Sequence, residues 1–366
     1  MPVFAFVGSL TRPAPNYRAA NGRGLSTLRF DAATGRLDPV AELAGVDDAG
    51  WLTVDAEARR LYVACDVPDT KQSWIASLAI AGDGRLTLLN RQPTGGQTAC
   101  HLSLTPDRRF LLAANYNAVV PAGAPDAAVA VFPVGPDGAL QPAAATVQQQ
   151  GSGPNRARQE RSHAHCVVPS PNGRFVYVTD LGLDRIIAYR LGDAGELTPY
   201  PAADYALPPG SGPRHLVFQP DGTRLFVVSE LVPTVLSLAV DPLSGVANRL
   251  DAFAIPRRGD AIVQPAGIVL SPDGSRLFVG LRECDEVLEL SIDARTGRLS
   301  QASRQPSGGA TPRDFALSPD GRHLVVANQD ADRLTVFGLD GGRLGEPLQH
   351  LSIGTPMAVA LATISA

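Results

Sequence analysis

Four residues that lie far apart in the sequence are of the types that carry out acid–base chemistry on an anionic substrate. His165 has an imidazole, which titrates near neutral pH and can accept a proton. Arg214 and Arg282 can hold a phosphate or carboxylate through forked hydrogen bonds. Glu230 can donate a proton if burial raises its pKa, or it can orient an arginine. Brought together, these four side chains would form an active site.

Further polar residues occupy equivalent positions, at the starts and ends of apolar, strand-like runs. The runs come in pairs, and four of the six histidines lie at or beside the start of the first run of a pair. The second run of each pair ends on a polar residue, namely Asp66, Asn115, Asp180, Glu230, Arg282 and Asn328. A single Asp or Asn there can simply satisfy the backbone or form a solvated rim. We predict that the substrate-binding residues are His101, His163, His215, Asn115, Asp180 and Arg313. His323 and His350 lie at or near turns and are expected on the surface.

An internal repeat supplies the elements that must position these residues. Each copy has a short apolar run, a Pro-Asp-Gly or Pro-Asn-Gly turn and a second apolar run. Clear copies are found at 165–180, 214–230, 266–282 and 313–328, and weaker ones at 51–66 and 99–115. The turn prolines Pro106, Pro171, Pro220, Pro272 and Pro319 are separated by 65, 49, 52 and 47 residues. This spacing is typical of the four-stranded blade of a β-propeller.

The repeats predict an all-β, seven-bladed β-propeller with four antiparallel strands per blade and a single domain over residues 1–366. Seven inner strands begin near Trp51, Cys100, His165, Arg214, Ala266, Arg313 and Met357. The last has no following partner strands, whereas 3–9 and 24–30 can supply them. We therefore expect 357–361 to pair beside 3–9 and close the ring. The alternative, two β-sandwiches in tandem, predicts no fixed period.

Hairpin geometry predicts which ends of the strands share a face. In an antiparallel hairpin the start of the first strand and the end of the second lie together, opposite the turn. His165, Arg214, Glu230 and Arg282 should therefore converge on one mouth of the central channel. The longer segments 11–23, 117–128, 145–162 and 254–264 are rich in Pro, Gly, Ala and Gln, and we expect loops there, some covering the site.

Composition excludes several classes of protein. Gly 36 and Pro 31 make 67 of 366 residues, but 44% of the chain is hydrophobic, which indicates a folded, turn-rich protein. A net charge of −4 argues against a nucleic-acid partner. The sequence has neither an 18-residue apolar run nor a signal-peptide pattern, so we expect a cytoplasmic protein without a membrane partner, as a monomer or weak dimer. The dispersed cysteines, which are Cys65, Cys100, Cys166 and Cys284, predict reduced thiols and no metal or other cofactor.

The chain resembles the bacterial 6-phosphogluconolactonase family of seven-bladed propellers, which also includes fungal 3-carboxy-cis,cis-muconate lactonizing enzyme. The resemblance is most specific over 99–117, 151–185, 212–235 and 312–330. It implies that the active site consists of His165, Arg214, Glu230 and Arg282 and that the chemistry needs no metal. The fifth repeat departs from the family pattern. It has Ala266-Gly267-Ile268-Val269 and Gly280-Leu281-Arg282-Glu283-Cys284, where many relatives have Ala-Glu-Ile-His and Ser-Asn-Arg-Gly-His.

Residues and resemblance together predict a metal-independent lactone hydrolase, a carboxylic-ester hydrolase acting on a small anionic sugar lactone as 6-phosphogluconolactonase does. One alternative is a muconate-type lactonizing cycloisomerase, in which arginines bind carboxylates and His165 or Glu230 moves a proton at carbon. The other is a non-catalytic propeller that serves as an interaction scaffold. The sequence does not decide which of His165 and Glu230 is the base and which is the acid.

Overall fold

The computed structural model describes residues 1–13, 17–65, 72–117, 120 and 123–365. Within these ranges 29 strands form seven antiparallel sheets, numbered here as blades 1 to 7. Blade 1 contains β1 (Val3–Ser9), β2 (Leu25–Asp31), β3 (Arg36–Leu43) and the last strand, β29 (Pro356–Thr363). Blade 2 contains β4 (Ala49–Asp55), β5 (Arg60–Cys65), β6 (Trp74–Ile80) and β7 (Leu86–Pro93). Blade 3 contains β8 (Ala99–Leu104), β9 (Phe110–Asn115), β10 (Val129–Pro133) and β11 (Ala145–Val147).

The remaining blades follow in chain order. Blade 4 contains β12 (Ala164–Pro169), β13 (Phe175–Asp180), β14 (Arg185–Leu191), β15 (Leu197–Pro199) and a short β16 (Tyr205–Ala206). Blade 5 contains β17 (Pro213–Phe218), β18 (Arg224–Ser229), β19 (Thr234–Val240) and β20 (Ala247–Ala254). Blade 6 contains β21 (Gln264–Leu270), β22 (Arg276–Arg282), β23 (Glu286–Ile292) and β24 (Leu299–Pro306). Blade 7 contains β25 (Pro312–Leu317), β26 (His323–Asn328), β27 (Arg333–Asp340) and β28 (Arg343–Ser352). Two 3-10 turns, Pro201–Ala203 and Gln329–Ala331, complete the described elements.

The seven sheets close into a ring, as the repeat predicts. The innermost strands β29, β4, β8, β12, β17, β21 and β25 each contact the next, and β25 contacts β29. β29 pairs antiparallel with β1, with Phe4 opposite Ala362 and Val7 opposite Val359. The predicted seven-bladed propeller and the shared terminal blade are therefore confirmed, and this closure leaves no exposed edge at the ends of the chain.

The core lies between neighbouring blades. The second strand of each blade is covered on both faces, so β9 and β13 are buried along their whole length. The fourth strands are largely exposed on the outside, as in β20 and β28. In the described ranges no helix is long and apolar enough to span a membrane.

The turn that joins the two inner strands of a blade is held by its own side chains. In blade 4 the Ser170 hydroxyl donates to Asn172 Oδ1 at 2.7 Å and accepts from the Phe175 amide at 3.0 Å. Gly173 supplies the required positive φ of 71°. Blade 3 is a weaker copy of the motif because Arg108 takes this glycine's place at a φ of 60°. These turns are self-contained and lie at the end of the hairpin opposite the mouth.

The prediction that His323 lies on the surface, because it follows a turn, is wrong. His323 is buried, and its ring meets the Phe30 ring of blade 1 edge-on at 5.3 Å. The turn itself faces outward, whereas the first residue of β26 already lies in the interface between blades. His350 is exposed, as expected.

Candidate active site

A pocket of about 540 Å³ opens at the mouth of the central channel. His165 in β12, Arg214 in β17 and Arg282 at the end of β22 all line it. Glu230, the residue that follows β18, completes the set. The four side chains predicted to converge are therefore brought together from three blades, at the end of the hairpins opposite the turns.

A β-bulge at the opening of the inner strands aims two of these side chains, His165 and Arg214, into the pocket. In blade 4 the pairing passes from Ala164 to Cys166 and skips His165, and in blade 5 it skips Arg214. The same irregularity skips one residue in four other blades, namely Gly50, Cys100, Arg313 and Met357, and all six skipped residues line the pocket. A bulge adds one residue to one strand and re-aims its side chain. The sequence pattern placed these residues at strand openings but gave no sign of the bulges.

Glu230 is the centre of an arginine cluster. Its Oε2 accepts from Arg214 Nε at 3.0 Å and Arg282 Nη2 at 2.8 Å, and its Oε1 accepts from Arg158 Nη2 at 2.6 Å and Gln264 Nε2 at 3.1 Å. Burial opposes ionisation of this carboxyl, but Arg282, Arg214 and Arg158 together hold its pKa well below the ordinary value. Glu230 is therefore a fixed carboxylate that orients guanidinium groups, and it has no proton to donate near neutral pH.

Burial keeps His165 neutral. Burial and the nearby Arg214 charge lower the pKa of its imidazole well below the ordinary value, although Glu230 acts in the opposite direction. Its Nδ1 is buried without a hydrogen-bond partner among the described residues. Its ring meets the Tyr116 ring at 5.4 Å and the His215 ring at 5.2 Å, both edge-on. An unprotonated imidazole that lines a polar pocket can accept a proton as a general base, although its depressed pKa makes it a weaker base than a free histidine.

His215 and His101 continue this group of rings toward the channel interior. His215 lines the pocket, and its ring lies 3.1 to 3.3 Å from Arg214 Nη1 and meets the Trp51 ring at 5.0 Å. His101 lies beneath it, outside the pocket lining, and Trp51 covers it at 4.3 Å. Burial, reinforced by Arg214, lowers the pKa of His101 to about 3. The Trp51 and His215 rings therefore line the pocket, whereas His101, for which we predict substrate binding, lies outside it.

Arg313 and His163 occupy opposite sides of the rim. Arg313 donates to Gln329 Oε1 at 3.1 Å, and its guanidinium lies over the Tyr17 ring at 5.3 Å. His163 lines the pocket and stacks on Tyr116 at 4.4 Å, with Nε2 3.1 Å from Glu160 Oε1. Both residues can contact a ligand, and their predicted role in substrate binding stays a prediction.

Asn115 and Asp180, which we predicted to bind substrate, lie outside the pocket. Asn115 donates to the Ala127 carbonyl at 3.0 Å, and Asp180 accepts from the amides of His163 at 2.9 Å and Leu183 at 3.0 Å. Both are fully buried and hold loops against their strands. Their side chains turn into the protein, where these loop contacts satisfy them. Asp66, the equivalent residue of blade 2, lies outside the described residues.

Several residues that line the pocket are not predicted from the sequence because they come from loops. Arg158 and Glu160 belong to the predicted loop 145–162, and Tyr17 and Arg18 to the predicted loop 11–23. Arg18, from the loop of blade 1, reaches Glu283 of blade 6 at 3.3 Å. Two of the four predicted loops thus reach over the site, and 254–264 contributes Gln264 at its end. Three arginines between positions 156 and 161 could have indicated an anion-binding loop, but nothing in the sequence distinguishes Arg158 from the other two.

The fifth repeat departs from the family pattern in blade 6, and its geometry is also different. The pairing there skips both Ala266 and Gly267, and neither lines the pocket. A Cβ on Gly267 would lie 3.1 Å from the Arg313 carbonyl oxygen, so the glycine lets blade 7 approach closely. Gln264 is the β21 side chain that reaches the site. Across the described ranges no group of three or more His, Cys, Asp or Glu side chains is placed to hold a metal ion.

Fold and site together define a seven-bladed propeller with an arginine-rich, histidine-lined pocket at its axis. The family model for the seven-bladed β-propeller lactonases matches residues 4–361, and the chain belongs to that family. It is 32% identical over 346 residues to the 6-phosphogluconolactonase of Bacillus subtilis, covering 94% of this chain and 95% of the relative. It is 28% identical to the 6-phosphogluconolactonase of Formosa agariphila, covering 98% and 99%. The solved periplasmic gluconolactonase of Pseudomonas aeruginosa superposes with a TM-score of 0.89 at 30% identity, with full coverage of both chains.

Proposed function

We propose that this protein hydrolyses an anionic sugar lactone, as the curated relatives named 6-phosphogluconolactonase do. The observation that carries the proposal is the charge balance of the inner pocket. Arg158, Arg214 and Arg282 share the single carboxylate of Glu230, and Arg313 adds a fourth guanidinium nearby. Other carboxylates that line the pocket have partners of their own, since Arg12 pairs with Asp48 and Arg18 lies between Glu283 and Asp330. This local excess of guanidinium groups around Glu230 favours a phosphate or carboxylate group on the substrate.

The hydrolytic step follows from the protonation states. Neutral His165 accepts a proton from water, and the water oxygen bonds to the lactone carbonyl carbon. The electron pair of the carbonyl moves to its oxygen, where the buried guanidinium groups offset the negative charge. Collapse of this intermediate breaks the bond between the carbonyl carbon and the ring oxygen. The ring oxygen takes the electron pair of that bond and a proton, and the product is a hydroxy acid. Glu230 keeps the arginines in place throughout because it stays ionised.

A panel of lactones with a pH-indicator readout tests this proposal, since ring opening releases acid. We expect wild type to prefer a phosphorylated gluconolactone over the neutral sugar lactone by about tenfold or more in kcat/KM, after subtraction of spontaneous hydrolysis. Equal rates for the two lactones would contradict an anionic substrate. They would favour a neutral sugar lactone, such as the gluconolactone in the name of the Pseudomonas relative. No acid release from any lactone would favour the scaffold. EDTA treatment should leave the rate unchanged, because His165 and the arginines supply the base and the charge stabilisation.

Cytoplasmic localisation also stays a proposal. Cys65, Cys166 and Cys284 are free thiols, which suits a reducing compartment, whereas the Pseudomonas relative is named as periplasmic. Fractionation of cells that produce the native chain, with marker enzymes for each compartment, decides between the two.

A further inference from the structure

Asp314 is a second buried carboxyl group in the pocket, and the mechanism above gives it no role. It directly follows the bulged residue Arg313 in β25, lines the pocket and is 7% exposed. Its Oδ2 accepts a hydrogen bond of 2.9 Å from the backbone amide of Val359 in the neighbouring blade. That bond fixes the carboxyl group between two inner strands at the edge of the channel.

The surroundings of Asp314 differ from those of Glu230 in the partners they offer. Glu230 receives hydrogen bonds from three guanidinium groups, whereas the partners found for Asp314 in the described part of the chain are backbone amides. Burial raises the pKa of Asp314 to about 6, although the amides of Val359 and Phe315 and the charges of Arg214 and Arg313 act in the opposite direction. When two carboxyl groups in one pocket have environments that give them different pKa values, one can be ionised while the other is protonated. The two groups can then take different chemical roles.

Asp314 also lies across the channel from the proposed base. It belongs to blade 7 and His165 to blade 4, three blades away in one direction around the ring and four in the other. A substrate on the channel axis would therefore have the imidazole on one side and the carboxyl group on the other. In ester hydrolysis the base acts on the attacking water and the acid on the departing oxygen, so opposed placement suits both steps.

We propose that Asp314 is the general acid that protonates the departing ring oxygen of the lactone, opposite the water activated by His165; this inference rests on the proposed hydrolysis. As the bond between the carbonyl carbon and the ring oxygen breaks, its electron pair goes to the ring oxygen, which takes the proton of the Asp314 carboxyl group. The cycle ends when protonated His165 loses its proton to solvent and ionised Asp314 regains one. The product acid ionises, which accounts for the acid released overall.

Few titratable groups face Asp314 from the neighbouring strands. β29 and β21 carry no titratable side chain, and β22 brings Arg282 to the pocket. His323 lies at the turn end of β26, and β17 contributes Arg214 and His215. Because hydrolysis requires protonated Asp314 and neutral His165, kcat/KM should fall as pH rises through the pKa of the free carboxyl group, near 6.

Asp314→Asn is the decisive variant because an asparagine oxygen can still accept from the Val359 amide. We expect kcat on the best lactone to fall about 10²-fold, with little change in KM, and the alkaline limb of the kcat/KM profile to disappear between pH 5 and 8. A purely structural role would leave that limb in place. Asp320→Asn is the matched control, since this carboxylate lies in the turn at the other end of the same hairpin, and it should keep the wild-type rate and profile.

The outcomes separate this inference from the proposed function. If the wild type is active and the Asp314→Asn variant keeps its rate or its alkaline limb, the proposed role of Asp314 alone is overturned. A wild type that opens no lactone overturns both. If the variant does not fold, as judged by circular dichroism and denaturant unfolding, the wild-type profile still decides: a falling limb supports the role, and a kcat/KM that stays level from pH 6 to 8 overturns it.

Discussion

The two ends of the β12–β13 hairpin use polar residues in opposite ways. At the turn end, the Ser170 hydroxyl donates to Asn172 and accepts from the Phe175 amide. At the pocket end, His165 Nδ1 has no partner in the described chain and Arg214, from the next blade, lies close enough to depress its pKa. Both ends look alike in sequence, as polar residues flanking an apolar run. One end stabilises the fold, and the other places His165 and Arg214 in the lining of the pocket.

The largest expected effect comes from the pocket end. His165→Gln should lower kcat on the best lactone by about 10²-fold or more, because the general base is lost. The unfolding free energy should stay the same or rise, since the buried Nδ1 loses no partner. Steady-state kinetics and urea unfolding measure the two quantities. The exposed His350→Gln is the control, and a His165→Gln variant with wild-type turnover would remove the base from the mechanism.

The turn end of the same hairpin should respond in the opposite sense. Ser170→Ala leaves the buried Phe175 amide without its hydroxyl acceptor, so we expect a loss of about 1–3 kcal/mol in the free energy of unfolding. Turnover should not change, because the turn is at the far end from the pocket. Urea unfolding of the purified variant gives the first quantity and the lactone assay the second. Unchanged stability would show that the turn does not depend on its serine.

Arg214→Lys tests whether the pocket end recognises an anion by geometry. A point charge replaces a planar fork that bonds Glu230 and lies against His215, so KM for a phosphorylated lactone should rise about tenfold while kcat changes less. Arg174→Lys, exposed at the turn end, should match wild type. A KM increase of the same size for neutral lactones would mean that Arg214 supports the pocket's shape instead of binding the anion.

His101 connects the site to the stability of the fold. Its folded-state pKa is about 3, whereas an unfolded histidine titrates near 6.5, so between these values the unfolded state binds more protons and stability falls as pH falls. His101→Gln should reduce this slope by up to about 1.4 kcal/mol per pH unit. Urea unfolding at pH 7 and pH 5.5 measures it. An unchanged slope would place the pH dependence on His165 and His215, which burial also keeps neutral.

The sequence by itself determined the propeller. The 47- to 65-residue spacing of the turn prolines, the Pro-Asp-Gly turns and the orphan strand at 357–361 depend on local rules of turn chemistry and strand pairing, so they could be interpreted without coordinates. The same rules placed His165, Arg214, Glu230 and Arg282 at one mouth, because strand direction fixes which ends share a face.

Only the tertiary structure decided what these residues do there. The bulges that aim His165 and Arg214 inward depend on pairing with the second strand. The ionised state of Glu230 depends on Arg282 and Arg214 from neighbouring strands and on Arg158 from a loop 72 residues away. Asp180 had the same sequence setting as Glu230, yet it turned into the protein to hold a loop. Side-chain direction, burial and charge pairing arise from contacts between distant segments, and a local pattern does not contain them.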